Sequence, residues 1–177
     1  MKALVWCVLL GASFLSAQSI SVGVKGGGTF TKPAERNDDS KQYVVGPSVE
    51  IGLPARFAVE VNALYSRFGV SGFGTNRRGH SWEFPVLGKY YFADRDEAVR
   101  PYVSSGFSVR NIWMEDGNRV ARTAVTDPAI GAVVSGGATF KVSLFRLSPE
   151  IRYTRWGGYN FPATNPNQLQ ALVGISF

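Results

Sequence analysis

The sequence predicts an all-β fold: an eight-stranded antiparallel transmembrane β-barrel of up-and-down meander, preceded by a signal peptide. Three observations predict it. In the final stretch, Asn167 to Phe177, the alternate residues Leu169, Ala171, Val173, Ile175 and Phe177 are apolar. The residues between them, Gln168, Gln170, Leu172, Gly174 and Ser176, are mostly polar or small. Such period-two alternation marks a strand with one greasy and one wet face. Seven earlier segments share the pattern, at the length of about 9–11 residues that crosses a tilted barrel wall. The segments are joined by connections that run long, short, long, medium, long, short, long. An even strand count with this loop rhythm puts both ends on the short-turn side.

The amino-terminus stands apart from the barrel. Met1-Lys2, the apolar run Ala3–Leu15 and Ser16-Ala17-Gln18 form a signal-peptide pattern with cleavage expected after Ala17. The apolar run is shorter than the ~20 residues of a spanning helix. Residues 1–17 are therefore the signal peptide, and 18–177 form one barrel domain. The single cysteine, Cys7, falls within the apolar run, which leaves the exported chain without disulfide or thiol chemistry. Without Lys2 the chain carries 18 basic against 13 acidic residues, a net charge of +5. Those basic residues are dispersed and export separates them from nucleic acid, so no nucleic-acid partner is expected.

Strand one, Ile20 to Phe30, turns Ile20, Val22, Val24, Gly26, Gly28 and Phe30 outward, with Ser21, Gly23, Lys25, Gly27 and Thr29 inward. A charged loop, 31–42, follows. Strand two, Tyr43 to Leu53, alternates Tyr43, Val45, Pro47, Val49 and Ile51 with Gly46, Ser48, Glu50 and Gly52. Pro54-Ala55-Arg56 makes a tight turn. Strand three, Phe57 to Phe68, sets Phe57, Val59, Val61, Ala63 and Tyr65 against Glu60, Asn62 and Ser66. Residues 69–80, rich in glycine, are expected to be a loop. Strand four, Ser81 to Phe92, opposes Trp82, Phe84, Val86, Tyr90 and Phe92 to Glu83, Pro85, Leu87, Lys89 and Tyr91.

A charged connection, 93–100, leads to strand five, Pro101 to about Trp113, with Val103, Phe107 and Val109 outward and Tyr102, Ser104, Ser108 and Arg110 inward. Residues 114–127 form a third long loop. Strand six, about 128–140, presents Ile130, Ala132, Val134, Gly136 and Ala138 to the outside, and Lys141-Val142-Ser143 turns the chain. Strand seven, Leu144 to Thr154, opposes Phe145, Leu147, Pro149, Ile151 and Tyr153 to Arg146, Ser148, Glu150 and Arg152. The loop 155–166 leads into strand eight, which closes on strand one because an open edge does not survive in lipid. The aromatics sort by height into two interfacial girdles. Phe57, Tyr90, Phe92, Phe140, Phe145 and Phe177 belong to the short-turn end, and Phe30, Tyr43, Tyr65, Trp82, Tyr153 and Trp156 to the long-loop end.

The stretches Glu83-Phe84-Pro85-Val86-Leu87-Gly88-Lys89-Tyr90-Tyr91-Phe92, Pro101-Tyr102-Val103-Ser104-Ser105-Gly106 and Ser148-Pro149-Glu150-Ile151-Arg152-Tyr153 resemble the bacterial outer-membrane β-barrel domain family. These are the small eight-stranded, porin-like barrels shaped like OmpA and OmpX. The resemblance spans 18–177 and implies residence in the cell outer membrane, with outer-membrane lipid as surroundings. The terminal strand also looks like the signal read by the outer-membrane assembly machinery, carried by Gln170, Ile175 and Phe177. Leu172 stands where that signal usually has glycine, and Gly174 is displaced.

Among inward positions, Lys25, Lys89, Arg110 and Arg152 balance Glu50, Glu60, Glu83 and Glu150. An eight-stranded barrel is just wide enough for side chains to fill, and charges in so narrow a space must pair. The expectation is a salt-bridged, largely closed lumen. The connection 93–100 fixes a register in which paired numbers on strands four and five total 193, which predicts a direct Glu83–Arg110 pair. That pair is expected near the long loops, away from the other six charges.

No catalytic, cofactor-binding or metal site is expected. His80 and Ser81 are adjacent on a strand and so face opposite ways, a poor placement for a base and its nucleophile. Gly26-Gly27-Gly28 lacks the helix and Lys-Ser/Thr pair of a phosphate loop and suits barrel curvature instead. Arg77, Arg78, Arg119, Arg122 and Arg155 lie on or beside the long loops, where guanidinium forks suit lipid headgroups, sugars or a protein partner. The expected protein is a non-enzymatic integral barrel with an envelope structural or surface-interaction role. A narrow porin passing ions or small solutes, a lipid-modifying hydrolase and a soluble lipocalin-type barrel are the alternatives. Conductance separates the porin, and detergent partition separates the lipocalin, whose charged set would face outward.

Overall fold

A computed structural model describes residues 19–31, 43–72, 75–115, 122–124, 128–157 and 166–177, with the backbone alone at 68–72, 75–79, 113–115 and 122–124. Residues 1–17, expected to be a signal peptide, residues 32–42 of the expected first loop, and Arg119 lie outside the described residues. Eight staves form a closed antiparallel barrel. They are β1 (Ile20–Thr29), β2 (Tyr43–Gly52), β3 (Phe57–Asn62 continued by Leu64–Gly72), β4 (Thr75–Tyr91), β5 (Val99–Glu115), β6 (Ala129–Val142), β7 (Phe145–Trp156) and β8 (Asn167–Ser176). Each pairs with its sequence neighbours, and β8 returns to β1 from Gly23↔Ser176 to Thr29↔Gln170. At the seam the Phe177 amide donates to the Val22 carbonyl at 3.0 Å, and the Ser21 hydroxyl donates to the Phe177 carbonyl at 2.8 Å. Among the described residues there is no helix.

The alternation read from the sequence is the inside–outside pattern of the wall. Ile20, Val22, Val24, Val103, Phe107, Val134, Ile151 and Val173 lie exposed on the outer surface. Ser21, Lys25, Glu60, Lys89, Ser108, Glu150 and Arg152 are buried within. In water so broad an exposed apolar belt would be a liability, whereas hydrocarbon solvates it. Neighbouring staves approach closely at the inward-facing Gly27. A side chain on Gly27 would bring its Cβ within 2.8 Å of the Leu172 Cα on the next stave.

Several boundaries differ from the sequence expectation. Residues 69–72 and 75–80, expected in a loop, are strand: β3 and β4 stay paired from Leu64↔Glu83 up to Gly72↔Thr75. β5 runs on to Glu115, and Arg122–Ala124 adds a short strand beside Trp113–Glu115. At 17 residues, β4 and β5 span roughly 55 Å at the usual rise. That exceeds the ~30 Å hydrocarbon slab, so these hairpins project beyond it. Past the lipid both faces are wet, alternation is no longer required, and backbone pairing alone sustains the ladder. That is why the sequence signal stopped short. β6 reaches Val142 and β7 begins at Phe145, so their turn is one or two residues later than expected.

The β2–β3 turn has Ala55 at φ 57° and Arg56 at φ 65°, the left-handed pair of a two-residue hairpin, yet without glycine. Arg56 compensates by forking Asp94 through Nε and Nη2, both at 2.8 Å, which holds its pKa above the ordinary arginine value. The stave β3 is interrupted at Ala63. Ala63 donates to the Pro47 carbonyl at 3.1 Å, but Pro47 has no N–H to return the bond. Continuing the register Val61↔Val86 places a second proline, Pro85, opposite Asn62. A second gap lies between β6 and β7, where Ala138, by continuing Gly137↔Glu150, faces Pro149, while its β5 side stays paired with Pro101.

Candidate functional site

The lumen is built in three levels. Nearest the short turns, six charged groups from five staves converge. Lys25 (β1) contacts Glu60 (β3) and reaches Glu150 (β7) at 2.6 Å. Lys89 (β4) contacts Glu60 and reaches Glu50 (β2) at 2.9 Å. Arg152 places Nη2 at 2.8 Å from Glu150 and 3.5 Å from Glu60. Three carboxylates thus meet three cations, a neutral set whose members other than Glu50 are almost wholly buried.

Neutral donors complete the cluster. The Asn62 amide donates to Glu60 at 2.8 Å, the Tyr102 hydroxyl to Glu150 at 2.9 Å and the Tyr91 hydroxyl to Glu50 at 2.8 Å. Lys89 Nζ lies 4.3 Å from the centre of the Tyr102 ring, and Arg100 stacks over Tyr91 at 3.8 Å. Gly137 leaves room for Tyr102, since a Cβ there would sit 2.8 Å from the ring hydroxyl. Buried ions are costly unless their lone pairs and protons are used; most of the carboxylate oxygens here are used, while Asn62 Oδ1 and Arg152 Nη1 have no hydrogen-bond partner among the described residues. A cavity beside Lys25, Glu50, Glu60 and Lys89 is about 20 Å³, room for about one water.

The middle level is apolar and neutral-polar: Val44, Leu64 and Leu172 form a small hydrophobic cluster, with Gln170 fully buried near it. The upper level holds Glu83 and Arg110, which sit opposite each other in the expected register. They do not form the direct ion pair that register suggested. Gln168 on β8 stands between them, donating to Glu83 at 3.0 Å and accepting from Arg110 at 3.4 Å and from the Trp156 indole N–H at 2.6 Å. Arg110 also stacks on Trp156 at 4.1 Å.

Trp156 is therefore a lumen residue and not a member of the outer girdle. β7 continues two residues past Thr154, and parity sends Trp156 inward with Arg152 and Thr154. Gln168 and Trp156 were the missed members of the upper site. Both were findable by parity, but a census of charges alone passes over them.

On the outer wall the upper girdle holds Tyr65, His80 and Trp82, with Tyr65 touching His80 Nδ1 and its ring 5.4 Å from Trp82. Phe57, Tyr90 and Phe92 form the lower girdle, at 5.1 and 5.4 Å between ring centres. Ser81 is buried in the lumen while His80 faces out, so the two do not meet. Among the rim arginines, Arg77 and Arg78 lie on the extended β4, with Arg78 opposite Glu115 and Glu115 opposite Arg122. Arg155 lies exposed on the outward side of β7, opposite Ala132. Of the assembly-signal residues, Ile175 and Phe177 face out and Gln170 faces in. Among the described residues no group of three or more His, Cys, Asp or Glu side chains is arranged to hold a metal ion.

No family model and no curated protein sequence matches the chain. Solved structures do. Neisserial surface protein A (NspA) superposes with a TM-score of 0.65 at 17% identity, over 90% of this chain and 97% of that one. Ail, the attachment invasion locus protein of Yersinia pestis, solved in complex with the heparin analogue sucrose octasulfate, gives 0.54 at 14% identity, over 90% and 97%. The outer membrane enzyme PagL gives 0.53 at 16% identity, over 89% and 98%. Likeness at these identities speaks for the fold alone, and the fold it speaks for is the eight-stranded barrel of bacterial outer-membrane proteins.

Proposed function

We propose that this chain is a non-enzymatic integral protein of the bacterial outer membrane, with a closed lumen and a structural or surface-interaction role in the envelope. The observation that carries the reading is the neutral six-charge cluster. Lys25, Lys89 and Arg152 against Glu50, Glu60 and Glu150 meet inside the barrel, beside a cavity with room for about one water. A conducting pore needs mobile ions to displace these partners, and each displacement strands a buried charge. The long β3–β4–β5 hairpins, which carry Arg77, Arg78 and Glu115 beyond the lipid, support a contact surface for a partner or for headgroups.

Reading the chain as non-enzymatic is supported by the one histidine, His80, and its neighbour Ser81 facing opposite sides of the wall. The signal peptide 1–17, recognition by the assembly machinery through Phe177 and location in the outer membrane belong to the same proposal. The test is single-channel recording of the refolded protein in planar bilayers, with membrane fractionation of cells in parallel. A silent bilayer and recovery with the outer membrane are expected. Stable, large conductance steps would replace this reading with the porin.

A further inference from the structure

One stretch of the outer wall is indented. Along one row across β5, β6 and β7, Phe107, Ala132 and Arg155 stand side by side. Small Ala132 between two long neighbours makes a notch, and Gly157 beside Ile130 in the row above prolongs it. The resulting open groove has a volume of about 410 Å³. Its floor is the wall itself, thinned at Gly131: a Cβ there would lie 2.7 Å from the Trp156 ring, so glycine lets the indole press against the wall from inside.

Two features define the occupant. The groove lies on the lipid-facing side among Phe107 and Ile130, both exposed, so only an apolar chain is at home there. Its edge carries Arg155, one outward position above Tyr153 of the upper girdle. At mid-bilayer an outward arginine is destabilising, but near the interface that cost vanishes. There a guanidinium meets lipid phosphates, which it binds with its planar fork. Among the described residues Arg155 has no carboxylate partner.

We propose that the Phe107–Ala132–Arg155 groove binds one phosphorylated, acylated lipid of the outer leaflet, an acyl chain lying over Ala132 and a phosphate forked by Arg155. The inference rests on the membrane reading above. Native mass spectrometry of the folded protein in detergent, titrated with bisphosphorylated lipid A or with phosphatidylcholine, tests it. The wild type should retain one lipid A molecule saturably and phosphatidylcholine far less. Ala132→Phe, which fills the notch, and Arg155→Gln should each weaken retention on the order of tenfold. Val134→Phe, outward but one row below, should not, and heat-dependent gel mobility verifies that every variant is a folded barrel. Non-saturable lipid counts equal in all four proteins would mean annular lipid only and overturn the site. That failure leaves the membrane reading standing, whereas absence of the wild type from the outer-membrane fraction would remove both.

Discussion

Gln168 donates its side-chain amide to Glu83 at 3.0 Å, across the lumen from β8 to β4. Its carbonyl accepts from Arg110 and Trp156, so one neutral side chain stands between two opposite charges and bonds to each. Replacing it with leucine leaves Glu83 and the indole N–H buried without that partner. Gln168→Leu should destabilise the barrel by about 2 kcal/mol, measured by urea unfolding in detergent. In a double-mutant cycle with Glu83→Leu the two losses should not add, because they delete one shared bond. Additive losses would mean that the amide bridge contributes nothing.

Glu60 is the hub of the lower cluster, contacting Lys25, Lys89, Arg152 and Asn62. Neutralising it leaves three cations against two carboxylates in a dry space. Glu60→Gln should cost about 3–5 kcal/mol. Glu50, which is partly exposed and meets only Lys89 and Tyr91 among the described residues, should cost less when changed to Gln, toward about 1 kcal/mol. Adding Lys25→Met to Glu60→Gln restores charge balance and should recover part of the loss. The order of the midpoints in denaturant is the check, and equal losses at Glu50 and Glu60 would contradict the hub.

The turn at Ala55-Arg56 holds two non-glycine residues at positive φ. Asparagine tolerates that region better than alanine, and the Arg56–Asp94 fork is untouched by a change at 55. Ala55→Asn should stabilise the protein by about 0.5–1 kcal/mol, read as a raised unfolding midpoint with unchanged slope. A lowered midpoint would show that Ala55 packs in a way its backbone does not reveal.

Phe177 is three-quarters exposed and its side chain adds little to the packed interior, while its backbone closes the seam through Val22 and Ser21. Deleting it should lower the amount inserted in the outer membrane of cells, whereas protein refolded in detergent should still close into a heat-modifiable barrel. Equal insertion with and without Phe177 would sever the residue from assembly.

Most of the wall was legible in the sequence because lipid outside and a packed lumen inside impose one rule on every second residue. The register of β4 on β5 was legible for a similar reason: the connection 93–100 is short enough to fix Glu83 opposite Arg110. What escaped reading lies where that rule relaxes. Above the bilayer the pairing of Gly69 with Arg78 carries no apolar alternation, so a ladder there looks like a loop. At Trp156 an assumed strand end at Thr154 hid the parity that sends the indole inward. The lower cluster was legible as residues but not as geometry. That Glu60 and not Glu50 is the hub depends on stave heights and barrel stagger, which no one-dimensional pattern contains.

The rungs missing beside Pro47 and Pro85 on one wall have a counterpart beside Pro149 on another. The first gap centres on β3 and the second lies between β6 and β7, three to four staves away in a ring of eight, so the two weak lines are nearly diametric. Mechanically, a tube creased along opposite sides has one soft direction and one stiff one. Lateral pressure from a bilayer would flatten this barrel from circle to ellipse along that soft axis, pivoting at Ala63 and Ala138 while the rungs elsewhere keep their lengths. The interrupted rungs thus give the wall an anisotropic compliance, a property of the whole cylinder that no single stave possesses.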